Sequence, residues 1–280
     1  MIKIKTSNFT INLSENTTAQ FKYFYAENSH TQNTIIYLHG GGLIFGNYSD
    51  LPEIYIDKIV KSGSSILSCE YLLAPEYKLP EIYSFINKIL NWYISTGYRL
   101  LQKSSPEFFL FGRSSGAYLA LLSTKLIDIK YIKGIISFYG YYSLQDAAFM
   151  YPSQSVQKHP LISQSIVTSI LDNNDPNNRY LIYLFARQKG QWLNMILDDI
   201  SLIQEYSLNE KELKALPPLF LTHSLRDSDV PVRQSKKMHK LAPQSVFYEI
   251  DSDDHDFDRT NPEEGTKIYS AFIQWLNELI

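Results

Sequence analysis

The chain has one cysteine, Cys69, in 280 residues. A single thiol closes no internal disulfide, so burial must hold the fold, and a chain of this length can bury a core large enough to do so. Cys69 lies in an apolar stretch, where a small buried thiol is the expected role; the lack of disulfides suits a reducing compartment, and a cytoplasmic location is expected. No run approaches the roughly 20 apolar residues of a membrane span. The opening residues MIKIKTSNFTINLS alternate apolar and polar and lack the continuous apolar centre of a signal peptide. Without a secretion route, the N-x-S/T triplets at Asn8, Asn16 and Asn47 carry no meaning for glycosylation. A basic surplus is missing as well: 26 Lys and Arg stand against 29 Asp and Glu, a formal net charge of -3. Nucleic acid is therefore not an expected partner. No repeat, low-complexity tract or Pro/Gly/Ser-rich linker divides the chain, so residues 1–280 are expected to form one domain.

Glycine is scarce, with 12 in all, yet Gly40, Gly41 and Gly42 stand together, and Gly112 and Gly116 bracket Ser114. Around Ser114 the sequence reads PEFFLFGRSSGAYLAL. Phe108, Phe109, Leu110 and Phe111 form an apolar run without polar alternation, as in a strand of a parallel sheet covered on both faces. Ala117 to Leu122 are mostly good helix formers. A strand thus passes through one tight turn into a helix, the context in which a G-x-S-x-G turn presents a serine hydroxyl at a sheet edge. A helix would begin directly after this serine.

His39-Gly40-Gly41-Gly42 follows another buried-type strand at 34–38. Three glycines in a row are costly in backbone entropy, and the cost makes sense where main-chain N–H groups must point at an anion. An oxyanion of a tetrahedral intermediate is such an anion, and each fixed donor is worth about 3 kcal/mol to it. Gly41, Gly42 and Ser115 are the expected donors.

A nucleophilic serine needs a base, and the candidates are His30, His39, His159, His223, His239 and His255. Strands are expected at 64–68, 132–138, 218–223 and 246–250, with helices at about 51–60 and 80–96, after the elbow, and after each of the two last strands. The N-terminal residues to about 25 read as two or three antiparallel strands. This alternation predicts an α/β fold with a mainly parallel central sheet flanked by helices, and its functional loops belong at the carboxyl ends of the strands. SLRDSDVP follows the strand at 218–223, and DSDDHDFD follows the one at 246–250. Asp227 and His255 are therefore expected to join Ser114, with His255 as base and Asp227 orienting its ring. His223 and Asp229 are the runners-up. Asp253, Asp254, Asp256 and Asp258 read as a solvated acidic loop that could raise the basicity of His255. Their spacing matches no calcium loop, so no metal is expected, and no cofactor. If His255 is the base, activity should rise with pH through roughly 6 to 7. The segment 141–215 shows no strand-like run but has helical patterns rich in aromatics, including Phe149, Tyr151, Tyr180, Tyr183, Phe185 and Trp192. It is expected to form a helical cap, inserted after a central strand and lying over the elbow.

These motifs together resemble the α/β-hydrolases of the esterase/lipase group that includes hormone-sensitive lipase and bacterial acetyl esterases. HGGGLIFG resembles that group's oxyanion segment, EYLLAPEYKLP its YRLAPE stretch, GRSSGA its nucleophile elbow, DSDVP its acid loop and HDF its histidine loop. The chain departs from the pattern at Arg113, where the group usually has Asp, at Ala117, where it often has Gly, and at Leu72, which replaces Arg; long N-terminal cap helices are missing. The resemblance implies an α/β-hydrolase fold and a serine esterase acting on a small-molecule ester; an aromatic-rich cap without long N-terminal helices should close a compact pocket over Ser114, so short acyl chains are expected to be preferred. Amide hydrolysis of the formamidase or peptidase type is the alternative, and a non-catalytic binding protein a further one.

Overall fold

The computed structural model describes residues 2–27 and 33–279. His30 lies outside the described residues, as does Ile280, where the last helix was expected to end.

Strands β1 (Ile4–Ser14) and β2 (Thr17–Ala26) form an antiparallel hairpin. Then come β3 (Asn33–Leu38), α1 (Glu53–Lys61), β4 (Ser64–Cys69) and α2 (Leu79–Trp92), which continues through one wide π turn, Tyr93–Gly97, into the short α3 (Tyr98–Leu100). Pro80 sits in the first turn of α2, and the Glu81 carboxylate accepts the Lys78 N–H at 2.9 Å, so the N-terminal capping device begins the helix. β5 (Phe108–Arg113), α4 (Ser115–Leu122) and β6 (Ile132–Phe138) follow. Next is the helical segment α5 (Ala147–Met150), α6 (Gln164–Asp172), α7 (Arg179–Lys189), α8 (Trp192–Ile196) and α9 (Glu210–Lys214), then β7 (Leu219–Ser224), α10 (Arg233–Leu241), β8 (Ser245–Ile250), α11 (Phe257–Thr260) and α12 (Pro262–Glu278).

The eight strands form one sheet in the order β1-β2-β4-β3-β5-β6-β7-β8. Among the described residues only β1/β2 and β2/β4 pair antiparallel; every pairing from β4/β3 to β7/β8 is parallel. All six residues of β3, of β4 and of β5 are buried. In β5, Phe108 and Leu110 point to the face covered by α2 and α4, while Phe109 and Phe111 point to the face covered by α1 and α12. With both faces of β5 dry, both register positions of Phe108 to Phe111 are apolar, and that is why the run shows no alternation. β1, at the edge, alternates between half-buried and exposed positions.

Between β6 and β7 the chain contains only helical elements and turns, and Phe149, Trp192 and Ile196 of this segment join the core on the α4 face. It is fastened to the loops after β3 and β4. The Trp192 Nε1–H donates to the Gly42 carbonyl at 2.8 Å. Arg179, 8% exposed, donates to the carbonyls of Ile44 and Ala74 and makes a two-pronged pair with Glu76 at 2.6 and 2.8 Å. Such paired, fully bonded guanidinium contacts are the geometry in which a buried charge is tolerated. Among the described residues no helix is long and apolar enough to cross a membrane.

Candidate active site

Ser114 lies between β5 and α4 with φ 52° and ψ -121°, a conformation that costs a non-glycine residue about 1–3 kcal/mol. What holds it there is close packing. Its N–H donates to the Phe138 carbonyl at 2.9 Å, and a Cβ on Gly116 would lie 2.1 Å from the Leu38 carbonyl oxygen. Only glycine lets α4 start so near β3.

The loop after β8 brings His255 over the elbow, and its Nε2 is 2.9 Å from Ser114 Oγ. Nδ1 is 2.6 Å from Asp227 Oδ2. A carboxylate only accepts, so in the neutral ring Nδ1 carries the proton and Nε2 is free to accept from Ser114. Asp227 is fixed in turn: Oδ1 accepts the N–H groups of Asp229 and Val230 at 2.8 and 3.0 Å. Burial alone would raise the Asp227 pKa, but His255 and His223 beside it outweigh that and hold it well below the usual carboxylate range. For His255 burial acts downward, and the Asp227 carboxylate outweighs it and raises the pKa above the ordinary 6.5.

The structure does not bring His223 to Ser114. Fully buried, His223 has Nε2 2.9 Å from the Val230 carbonyl and 3.1 Å from Asp227 Oδ2, while Nδ1 faces Ser235 Oγ at 2.8 Å. It therefore buttresses Asp227. Asp229 is likewise held away from His255, accepting from the Tyr183 hydroxyl at 2.6 Å and from Arg187 Nε at 3.3 Å. His39 stacks on Tyr71 with ring centroids 4.1 Å apart, and His239 bonds Ser245 at 2.9 Å.

Gly40, Gly41 and Gly42 line one cavity of about 220 Å³ with Ser114 and His255. Gly41 has φ 115°, and a Cβ there would lie 1.9 Å from the Phe45 carbonyl oxygen, so the turn demands glycine. Its carbonyl accepts from Ile44 and Phe45, both at 3.0 Å. Ser115 is buried at the first position of α4, where backbone N–H groups have no helical acceptor. Its hydroxyl accepts the Leu43 N–H at 3.2 Å and ties the glycine loop to the elbow.

One carboxylate overturns the reading of 253–258 as a solvated loop. Asp258 is 1% exposed, and its Oδ1 accepts from Arg113 Nη2 at 3.0 Å and the Tyr139 hydroxyl at 2.7 Å, with the Tyr269 hydroxyl 3.2 Å from Oδ2. Arg113, 2% exposed, also reaches Tyr139 at 2.7 Å and Asp50 at 3.4 Å. Two buried opposite charges satisfy each other only because hydrogen bonds fill their remaining valences. The network ties the residue before Ser114 to the helix that starts two residues after His255. An Asp among aspartates carries no local mark of this partner, which lies 145 positions away. Among the described residues no group of three or more His, Cys, Asp or Glu side chains is disposed to hold a metal ion.

Comparison with known proteins agrees with this architecture. The family model of the alpha/beta hydrolase fold matches residues 35–228. An acetyl esterase of Salmonella typhi is 30% identical over 128 residues, 44% of this chain but only 39% of that protein's length. A protein named as a probable carboxylesterase from Phoma sp. is 23% identical over 253 residues, covering 80% of this chain and 79% of its own. The crystal structure of a Staphylococcus aureus protein described as of unknown function is 33% identical, covers 98% of this chain and 99% of its own, and superposes with a TM-score of 0.85. With a mostly parallel eight-stranded sheet, a serine at the sharp turn after β5 and a family match running from β3 to the loop after β7, the chain belongs to the α/β-hydrolase fold family.

Proposed function

We propose that the protein is a serine hydrolase cleaving small carboxylic esters through an acyl-Ser114 intermediate. The observation that carries this reading is the relay from Asp227 Oδ2 through His255 to Ser114 Oγ, with contacts of 2.6 and 2.9 Å, beside a glycine loop opening on the same cavity. Ser114 Oγ attacks the ester carbonyl carbon as its proton passes to His255 Nε2. The carbonyl oxygen becomes an anion, met by the N–H groups of Gly41, Gly42 and Ser115. The tetrahedral adduct then expels the alcohol oxygen, which takes the proton from His255, leaving Ser114 acylated. Water repeats the sequence, releasing the acid and restoring the serine. The scheme uses the chain's own side chains and water. A cytoplasmic setting belongs to the same reading and rests on a single, buried thiol.

Because His255 must deliver its proton to the leaving oxygen, the alcohol departs on the His255 side and the acyl chain points the other way. There Ser114 borders a second pocket, walled by Tyr141, Phe149, Tyr183 and Trp192, of only about 10 Å³. That is room for about one water-sized sphere. A methylene forced against a full wall costs about 1–3 kcal/mol, on the order of tenfold per carbon. In a series of aryl esters from acetate to decanoate, kcat/KM is expected to peak at four carbons or below and fall steeply beyond. A maximum at eight carbons or more would sink the acyl assignment, and faster cleavage of an aryl formamide would replace ester with amide.

The pH dependence is corrected upward from the window expected of an unperturbed histidine. A protonated His255 cannot accept the Ser114 proton, so kcat/KM rises as pH climbs through its folded-state pKa. Asp227 raises that pKa above 6.5, which places the midpoint of the rising limb above pH 6.5, and Asp227→Asn should move it back down. A limb centred below pH 6.5 in the native protein would contradict the upward shift, and a flat profile, or a limb unmoved by Asp227→Asn, would contradict the assignment of His255 as base.

A further inference from the structure

The cavity on the His255 side is built differently from the aromatic acyl pocket. Across it runs a chain of alternating charges: Asp256 lies 3.9 Å from Arg259, Arg259 donates to Asp50 at 2.6 Å, and Arg113 reaches Asp50 at 3.4 Å. All four side chains line the 220 Å³ space, and Asn47 adds an amide. Three carboxylates, those of Asp50, Asp229 and Asp256, face two guanidinium groups, and Asp229 is already held by Tyr183 and Arg187, so the lining does not favour an anion. Its surplus lies in hydrogen-bonding positions. A hydroxyl group can donate to a carboxylate and accept from a guanidinium at once, and neighbouring hydroxyls on one carbon frame can repeat the match along the chain. A hydrocarbon alcohol would strip water from the same charges and return nothing. Phe45 and Tyr183, with ring centroids 5.4 Å apart, supply an apolar wall for the C–H edges of the same molecule. The volume lies below the roughly 300–1,000 Å³ of pockets for drug-sized ligands, which suits one small ring or a short polyol.

We infer that this cavity is the leaving-group subsite for a polyhydroxylated alcohol, so that the substrate is a short-chain O-acyl ester of a sugar-sized or smaller polyol. The inference rests on the proposed ester chemistry. Arg259 and Asp256 are the specificity-determining pair, half-exposed at the cavity mouth; neither contacts Ser114, and each can be changed without opening the core.

The test compares kcat/KM for 6-O-acetylglucose and cyclohexylmethyl acetate, each divided by its rate of hydrolysis by hydroxide so that leaving-group reactivity cancels. The sugar ester is expected to be preferred by about tenfold or more, the effect of about one net hydrogen bond to a charged group. Arg259→Met and Asp256→Asn should each shrink that ratio at least about threefold, with unchanged thermal unfolding as the check on folding. Equal rates, a preference for the cyclohexyl ester, or a ratio that neither substitution moves would overturn the subsite. If neither ester is cleaved while a fluorophosphonate still labels Ser114, the subsite fails and the serine chemistry stands. If labelling fails as well, both fall.

Discussion

Ser114→Ala is expected to abolish covalent labelling by a fluorophosphonate probe and to lower kcat on a short-chain aryl ester by about 10⁴-fold or more. Only Oγ can form the bond to the acyl carbon, and its reactivity comes from neighbours that the substitution leaves in place. The alanine protein should unfold at close to the native temperature, because it loses one hydrogen bond, the 2.9 Å contact to His255, and keeps the Phe138 anchor of the turn. The backbone stays at φ 52°, so the strain of the elbow is common to both proteins. Labelling that survives in a folded Ser114→Ala protein would place the nucleophile elsewhere.

The second large effect separates the two aspartates of one loop. His255→Ala should be nearly as damaging as Ser114→Ala, since members of a proton relay act as a unit. Asp227→Asn should cost about 10²- to 10⁴-fold, because an amide can present its N–H to Nδ1 and hold the ring in the wrong tautomer. Asp229→Asn should be mild. Its carboxylate bonds Tyr183 and Arg187 at the cavity wall and makes no contact with the imidazole of His255. Measured as kcat/KM on one ester with thermal unfolding as the folding control, a larger loss at position 229 than at 227 would reassign the acid.

Where sequence reasoning reached far, burial was two-sided or a backbone needed glycine. The apolar runs at β3 and β5 are readable because a strand dry on both faces favours apolar residues at both register positions, and the elbow because Gly116 packs on Leu38. Loop order then led to Asp227 and His255, which the fold brings together from 28 residues apart. Partners chosen by the third dimension were invisible. Arg113 stood out only as a departure from a resembled pattern, and its ion pair spans 145 residues. Asp258 shares its local composition with Asp253, Asp254 and Asp256, so nothing nearby distinguishes the buried carboxylate from the others. The contact of Trp192 with Gly42 spans 150 residues, and an aromatic in a helical segment reads as core packing until the loop beneath it is known.

The network of Asp50, Arg113, Tyr139 and Asp258 bears on how positions 113 and 258 can change. An aspartate introduced at 113 would face the buried Asp258 with no cation between them, and an uncharged residue at 258 would leave the buried guanidinium only the longer 3.4 Å contact to Asp50 as a carboxylate partner. Breaking a buried pair from one side costs about 3–5 kcal/mol, a large share of the about 5–15 kcal/mol that keeps a domain folded. Single steps in either direction are therefore steeply uphill, and positions 113 and 258 are free to drift only together. Across homologous sequences the two columns should change in concert, with arginine at the first accompanied by an acid at the second.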